Sequence, residues 1–373
     1  MIVKNIFIEI TSNCNAACYD CVRQMPGSNV PKNEHLSIKV FKQLIDDIKD
    51  TLELVNFEGT YSDAPMHQNF LEYVEYIVKN TNAKILINTN GSNRNVDFWS
   101  KLGSLFKNNS KGRIYKVAFG IDGIDQESHT KYRVDTYFDK IMENAQAYIN
   151  AGGCAIWKML PFDFNKELEG DAKKMAKNLG FWEFRRNKTT RYFDKAHRYI
   201  IAKRWHEYYG NDIEKIEYEY GLGIEGDRKK FFDIVNAMEP HIEFEPDPRF
   251  SLKNNIDEAY GYIDIPKCKW KDVGQIQIGF NGVVWQCCHM QSAVQEFRFD
   301  KTWEQFDRWK KHYSYQENWN NLNYHRIYDI LNHRYFTKDL DESLKNNFTS
   351  KTNARMAVCA RKCGDYGIPN KQI

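Results

Sequence analysis

The chain has 373 residues, with 53 Lys plus Arg against 50 Asp plus Glu, a formal charge of +3. So even a balance argues against a protein that coats nucleic acid, and 42% hydrophobic and 28% charged residues with no apolar run near 18 exclude a membrane-spanning helix. At about 150 residues per domain the length suggests two domains, or one with an appendage, and the opening MIVKNIFIEI lacks a cleavable signal, so a cytoplasmic protein is expected.

Short β-branched and aromatic runs alternate with helical periodicity up to about residue 187, as in consecutive βα units around a parallel sheet. Strands are predicted at Ile6 to Ile10, Leu52 to Glu58, Lys84 to Asn88, Lys116 to Ile121, Ala155 to Leu160 and Phe181 to Phe184. The helix after the first strand has Ser37 as its N-cap and buries Val40, Phe41, Leu44, Ile45 and Ile48. The fourth buries Phe138, Ile141, Met142, Ala145, Tyr148 and Ile149, and the fifth stops at Gly180, where a left-handed cap fits. Six units make a partial α/β barrel of the (β/α)6 type, whose strand C-termini form the rim where chemistry is built. The expected division is 1–190 barrel, 191–262 linker and 263–373 small α+β domain. The basic stretch Arg191, Arg198, Lys203, Arg204 reads as a solvated face. Gln275 to Trp285, centred on Asn281-Gly282, reads as a β-hairpin.

Nine cysteines are unevenly spread. In a reducing compartment such cysteines more often hold metal than form disulfides. Cys14, Cys18 and Cys21 follow the first strand as C-x3-C-x2-C. Three thiolates on one tight loop can each bind a different iron of a cubane, leaving the fourth iron open to chelate the amino and carboxylate groups of a small molecule. A zinc site with a fourth ligand elsewhere is the alternative. Cys268, Cys287, Cys359 and Cys363 supply a second set of four, with Cys268 and Cys287 at opposite ends of the hairpin. They suit a fully ligated cluster or a zinc knot. Cys288 on the next residue would point to the other face of a strand, though it or His289 could replace Cys287. Cys154 reads as a buried inert thiol, and His67 and His129 as solvent-exposed loop histidines near the rim, with substrate contact the alternative.

The cysteine triad and the strand ends together resemble the radical S-adenosylmethionine (SAM) superfamily. Phe57-Glu-Gly-Thr-Tyr-Ser-Asp-Ala-Pro65 resembles the glycine-rich motif that holds the SAM amino group, Ile87-Asn-Thr-Asn-Gly91 the ribose-contacting segment, and Phe119-Gly-Ile-Asp-Gly123 the end of the fourth strand. Arg133 follows at about the place of an arginine near the SAM carboxylate. Three departures stand beside these matches: Asp20 where an aromatic residue is usual, with Tyr19 before it; Ser62-Asp63-Ala64-Pro65 for Gly-Glu-Pro; and Gly120 for serine. The cofactor-binding residues the resemblance implies are Tyr19, Asp20, Gly59, Thr60, Asp63, Asn88, Thr89, Asn90, Gly120, Asp122 and Arg133; Lys158, alternating with Trp157 and Met159 on the fifth strand, reads either as projecting into the barrel to meet a carboxylate of SAM or substrate or as a snorkelling lysine at the sheet rim.

The C-terminal C-x13-G-x4-C pattern and later cysteines are similar to the twitch domain, a shortened SPASM extension with one auxiliary 4Fe-4S cluster. The resemblance implies two 4Fe-4S clusters, SAM, and reductive SAM cleavage to a 5'-deoxyadenosyl radical that abstracts a substrate hydrogen. An oxidation is the expected outcome, with a reductant such as flavodoxin or ferredoxin as partner. A small-molecule substrate is favoured because the chain starts at the first strand, with a peptide or protein side chain second. A non-catalytic iron-sulfur or zinc protein is the alternative of another class.

Overall fold

A computed structural model describes residues 1–18, 21, 23, 30–110, 112–162, 164–187, 267–292, 294, 302–346, 356, 358–359 and 363. The proposed 191–262 linker, its basic stretch, Tyr19 and Asp20 lie outside them.

All six predicted barrel strands form: β1 (Asn5–Ile8), β2 (Leu54–Phe57), β3 (Lys84–Thr89), β4 (Tyr115–Gly120), β5 (Cys154–Met159) and β6 (Glu183–Arg186). They pair in parallel and in sequence order. The last begins two residues later than the periodicity suggested. Two more strands, β7 (Gln275–Ile278) and β8 (Val284–Trp285), extend the sheet beyond β1 and give the order β6-β5-β4-β3-β2-β1-β7-β8. The sheet is open and all parallel except for the antiparallel β7–β8 pair, so the architecture is a partial α/β barrel.

The predicted hairpin is therefore present, but it does not stand apart from the barrel. Ile276 and Ile278 lie in parallel register with Ile6 and Ile8, making the hairpin the continuation of the barrel sheet. Its connection is longer than a two-residue Asn-Gly turn: Gly279 N–H donates to Val283 O (3.0 Å), and Gly282 takes φ 81°.

Alternation within the strands sets the core. Ile6, Ile8, Val55, Phe57, Ile85, Ile87, Val117 and Phe119 are essentially inaccessible and pack beneath the helices. Fully burying such a side chain is worth about 1.5–3 kcal/mol. Helix α1 (Ile38–Ile48) presents Phe41, Leu44, Ile45 and Ile48 to this layer, and Ser37 Oγ accepts the Lys39 N–H at 3.3 Å. Helix α2 (Phe138–Asn150) buries Phe138, Ile141, Ala145 and Tyr148 as expected, and also Asn144, which was not; Met142 and Ile149, like Val40 on α1, are only partly buried. Gly180 has φ 78° behind helix α3 (Glu169–Asn178). The C-terminal segment, helical over Thr302–His312, Ile327–Asn332 and Leu340–Lys345, is fastened to the barrel by Arg326 Nε donating to Asp47 Oδ2 (2.8 Å). Among the described residues, no helix is long and apolar enough to cross a membrane.

Candidate active site

The parallel strands deliver their C-terminal loops to one rim, and the cysteine loop is the first of them. Cys14, Cys18 and Cys21 pack against Ala16, Tyr132, Leu160, Phe162 and Phe164, an apolar wall from the loops after β4 and β5. The thiols share one electrostatic neighbourhood. Burial first, then Asp63 and Cys18, raises the Cys14 pKa, with Cys21 adding to it. Thiols crowded in this way ionise when a cation takes their protons' place, so the donor set fits a metal cluster. Among the described residues, no three His, Cys, Asp or Glu side chains are already drawn together as a metal cage.

The predicted contact residues are brought to this loop from three strand ends. Asn90, just beyond β3, donates from Nδ2 to Cys14 Sγ (3.8 Å) and to Asn15 Oδ1 (2.9 Å). Asp63 is almost inaccessible; Oδ1 accepts from Thr89 Oγ1 (2.8 Å) and Oδ2 from the Asn90 N–H (2.7 Å), so it clamps the loop after β2 to the end of β3. Burial nonetheless pushes its pKa up, against the lowering effect of these donors. Gly91, at φ 73°, turns the chain under Phe119; a Cβ there would meet the ring at 2.6 Å.

Asp122 anchors the fourth strand end. Oδ2 accepts from Arg133 Nε (2.6 Å) and Oδ1 from the Leu160 N–H (2.6 Å). Burial would lower the Arg133 pKa, but Asp122 first and then Cys18 and Tyr132 outweigh it, so the guanidinium stays charged beside the cysteine loop. Its Nη2 lies over Gly120, 2.7 Å from where a Cβ would stand, which explains a glycine at that strand end.

The glycine-rich segment is held from below by Glu9, a fully buried residue that the sequence reading passed over. Glu9 Oε1 accepts the N–H groups of Thr60 (3.1 Å) and Tyr61 (3.0 Å), and Oε2 accepts from Ser62 Oγ (3.1 Å). Gly59 itself is exposed. A polar row crosses the sheet beneath the rim. Lys158 Nζ and Asn56 Nδ2 each donate, to Asn88 Oδ1 (3.0 Å) and Glu58 Oε1 (2.6 Å) respectively, and Asn88 Nδ2 donates to Asn56 Oδ1 (2.9 Å). Burial lowers the Lys158 pKa, opposed by Glu58, and raises that of Glu58, opposed by Lys158. Asn56 and Glu58 were also missed; their alternation with Val55 and Phe57 in β2 was the available signal.

The two histidines near the rim are buried, not solvent-exposed as expected, and they serve the scaffold. His129 is buried, with Nε2 against Thr136 Oγ1 (2.9 Å) and Nδ1 accepting the Asp122 N–H (3.3 Å); burial brings its pKa down to about 3. His67 sits edge-on to His35 and Tyr73, each at 4.9 Å between ring centroids. Cys154 opens β5 and is half-buried.

Cys268, Cys287, Cys359 and Cys363 line one cavity with Trp270, Gln286, His289 and Met290. Burial and then Cys288, Cys359 and, more weakly, Cys268 push the Cys287 thiol up. Cys288 differs. It begins the short helix Cys288–Gln291, not a strand as expected, and after burial its strongest electrostatic neighbours are Glu58 and Glu9, which push its pKa up to about 12. Of these adjacent thiols, Cys287 lines the cysteine cavity and Cys288 does not. A wider depression of about 680 Å³, lined by Asn95, Gln126, Tyr137 and Asn144, contains none of these groups.

No protein-family model and no curated protein sequence matches the chain. Solved structures do. Streptococcus suis SuiB bound to S-adenosylmethionine is 15% identical at a TM-score of 0.48, over 79% of this chain and 62% of SuiB. SuiB bound to precursor peptide SuiA is 12% identical at 0.48, over 96% and 76%. Hexahistidine-tagged anSMEcpe with bound AdoMet is 11% identical at 0.47, over 96% and 91%. In its SAM-bound form, SuiB is matched over less than two thirds of its own length.

Proposed function

We propose that this chain is a radical SAM enzyme that oxidises a small polar molecule. The observation that carries the reading is the convergence of two strand ends on the triad: Asn90 donates to Cys14, and Arg133 stands in the field of Cys18. Cys14, Cys18 and Cys21 would hold a 4Fe-4S cluster, and Cys268, Cys287, Cys359 and Cys363 a second. When bound, the first cluster and SAM supply reductive carbon-sulfur cleavage and hydrogen abstraction, and the second an electron acceptor.

The chain's own residues bind and orient. Gly59, exposed beside a backbone fixed by Glu9, lets a ligand approach the main chain closely. Asn88, Thr89 and Asn90 would contact SAM from β3, and Gly120 and Asp122 from β4, with Tyr19 and Asp20 from the cysteine loop. Asp63 makes any such contact with both oxygens already bonded to the end of β3. Arg133 has one nitrogen committed to Asp122 and a fork left for a carboxylate. The row Lys158, Asn88, Asn56 and Glu58 offers a donor and an acceptor to a polar substrate, the reason for preferring a small polar molecule over a peptide. A flavodoxin or ferredoxin would deliver the electron.

The test is anaerobic reconstitution followed by incubation with SAM and dithionite or reduced flavodoxin. About eight irons per chain and release of 5'-deoxyadenosine are expected. Bound zinc, or iron without SAM cleavage, would leave a structural metalloprotein as the better reading. Polyols, amino alcohols and peptides are then compared as substrates by their stimulation of 5'-deoxyadenosine release.

A further inference from the structure

The Tyr335 hydroxyl is fully buried and has no hydrogen-bond partner among the described residues. An orphaned O–H of this kind costs about 1–3 kcal/mol, so a well-packed site is expected to supply an acceptor. Its ring is locked by Trp285 (6.3 Å), Phe306 (5.9 Å), Trp319 (5.2 Å) and Phe336 (4.9 Å), which leaves the hydroxyl little freedom to turn elsewhere. Trp285, packed on this ring, stands two residues before Cys287, and Leu340 and Leu344, which follow Tyr335, line the cavity of the four C-terminal thiols; after burial, Cys359, Cys287 and Cys268 act on the hydroxyl.

We infer that Tyr335 donates a hydrogen bond to a sulfur of the auxiliary cluster and raises that cluster's reduction potential. The inference rests on the reading that Cys268, Cys287, Cys359 and Cys363 hold a cluster. Reduction adds negative charge to the cluster and its thiolates. A fixed O–H donor stabilises that charge more in the reduced than in the oxidised form, the usual way in which hydrogen bonds to sulfur set iron-sulfur potentials. Tyr335 is a positioning and tuning residue; it touches no substrate.

The experiment uses the full chain with Cys14, Cys18 and Cys21 replaced by alanine, so that only the auxiliary cluster reports. Iron and sulfide are counted, and the potential is followed by an EPR-monitored redox titration in this background with and without Tyr335→Phe. Tyr148→Phe, which removes another fully buried hydroxyl, beside Cys154 at the start of β5, serves as the control. About four irons are expected in all three proteins. Tyr335→Phe should move the potential negative, so that the reduced-to-oxidised ratio at a fixed applied potential falls about fivefold, the worth of one hydrogen bond. The Tyr148 variant should leave it in place. An unchanged potential in a chain that still carries four irons overturns the inference alone. A triple-alanine chain that binds no iron overturns both the inference and the auxiliary-cluster reading.

Discussion

Arg133 Nε donates to Asp122 Oδ2 at 2.6 Å, and the same guanidinium lies over Gly120. The fourth strand end thus presents a cation whose direction is fixed by a fully buried carboxylate. A methyl group at 120 would displace it. Gly120→Ala should weaken SAM binding about tenfold, about 1.4 kcal/mol, in anaerobic calorimetry, with little change in iron content. Arg133→Met should cost about 3–5 kcal/mol in urea unfolding, because it leaves the buried Asp122 unpaired.

Asp63 joins two strand ends through one carboxylate. In Asp63→Asn an amide NH2 must face either the Asn90 N–H or the Thr89 hydroxyl, both of which now donate. The variant should lose about 1–3 kcal/mol of stability by denaturant titration. It should also bind SAM more weakly, since Asn90 is no longer held over Cys14.

Cys287 and Cys288 should separate cleanly. Cys287 shares its cavity with the other C-terminal thiols, whereas Cys288 lies in the field of Glu58 and Glu9. Cys287→Ser should lose about four of about eight irons on reconstitution, and Cys288→Ser should keep them all. A loss of iron in the Cys288 variant would place that thiol among the ligands.

His129 makes stability depend on pH. Its folded pKa of about 3 lies below the ordinary histidine value of 6.5, so the unfolded chain binds the extra proton between those values. Stability should therefore fall as pH drops below about 6.5, by at most about 1.4 kcal/mol per pH unit from this group. His67, brought down to about 4 by burial first, acts in the same direction. Urea midpoints between pH 7.5 and 5.5 should show the decline, and His129→Gln should flatten it.

The barrel was legible because its signals are local. Period-two runs marked β1 to β6, Ser37 marked a helix start, and Gly180 marked a helix end. The partnering of β7 with β1 was not, since no local pattern says which sheet edge a hairpin joins some 270 residues away. Glu9 and Asn144 were hidden for a related reason. Glu9 directly follows β1 and Asn144 sits on the core face of α2, and their value comes from backbone groups of other loops: Thr60 and Tyr61 for the first, Gly91 and Asn93 for the second. The triad spacing was visible at once, and so was the separation of Cys288 from Cys287, although it was expected from a strand and the chain turns into a short helix at Cys288.

The central claim concerns Cys14, Cys18 and Cys21, and its most direct measurement is EPR of the reduced chain with Cys268, Cys287, Cys359 and Cys363 replaced by alanine. About four irons and a cluster spectrum that changes when SAM is added are predicted, as required of an iron with no protein ligand. A spectrum indifferent to saturating SAM, or zinc in place of iron, would contradict it.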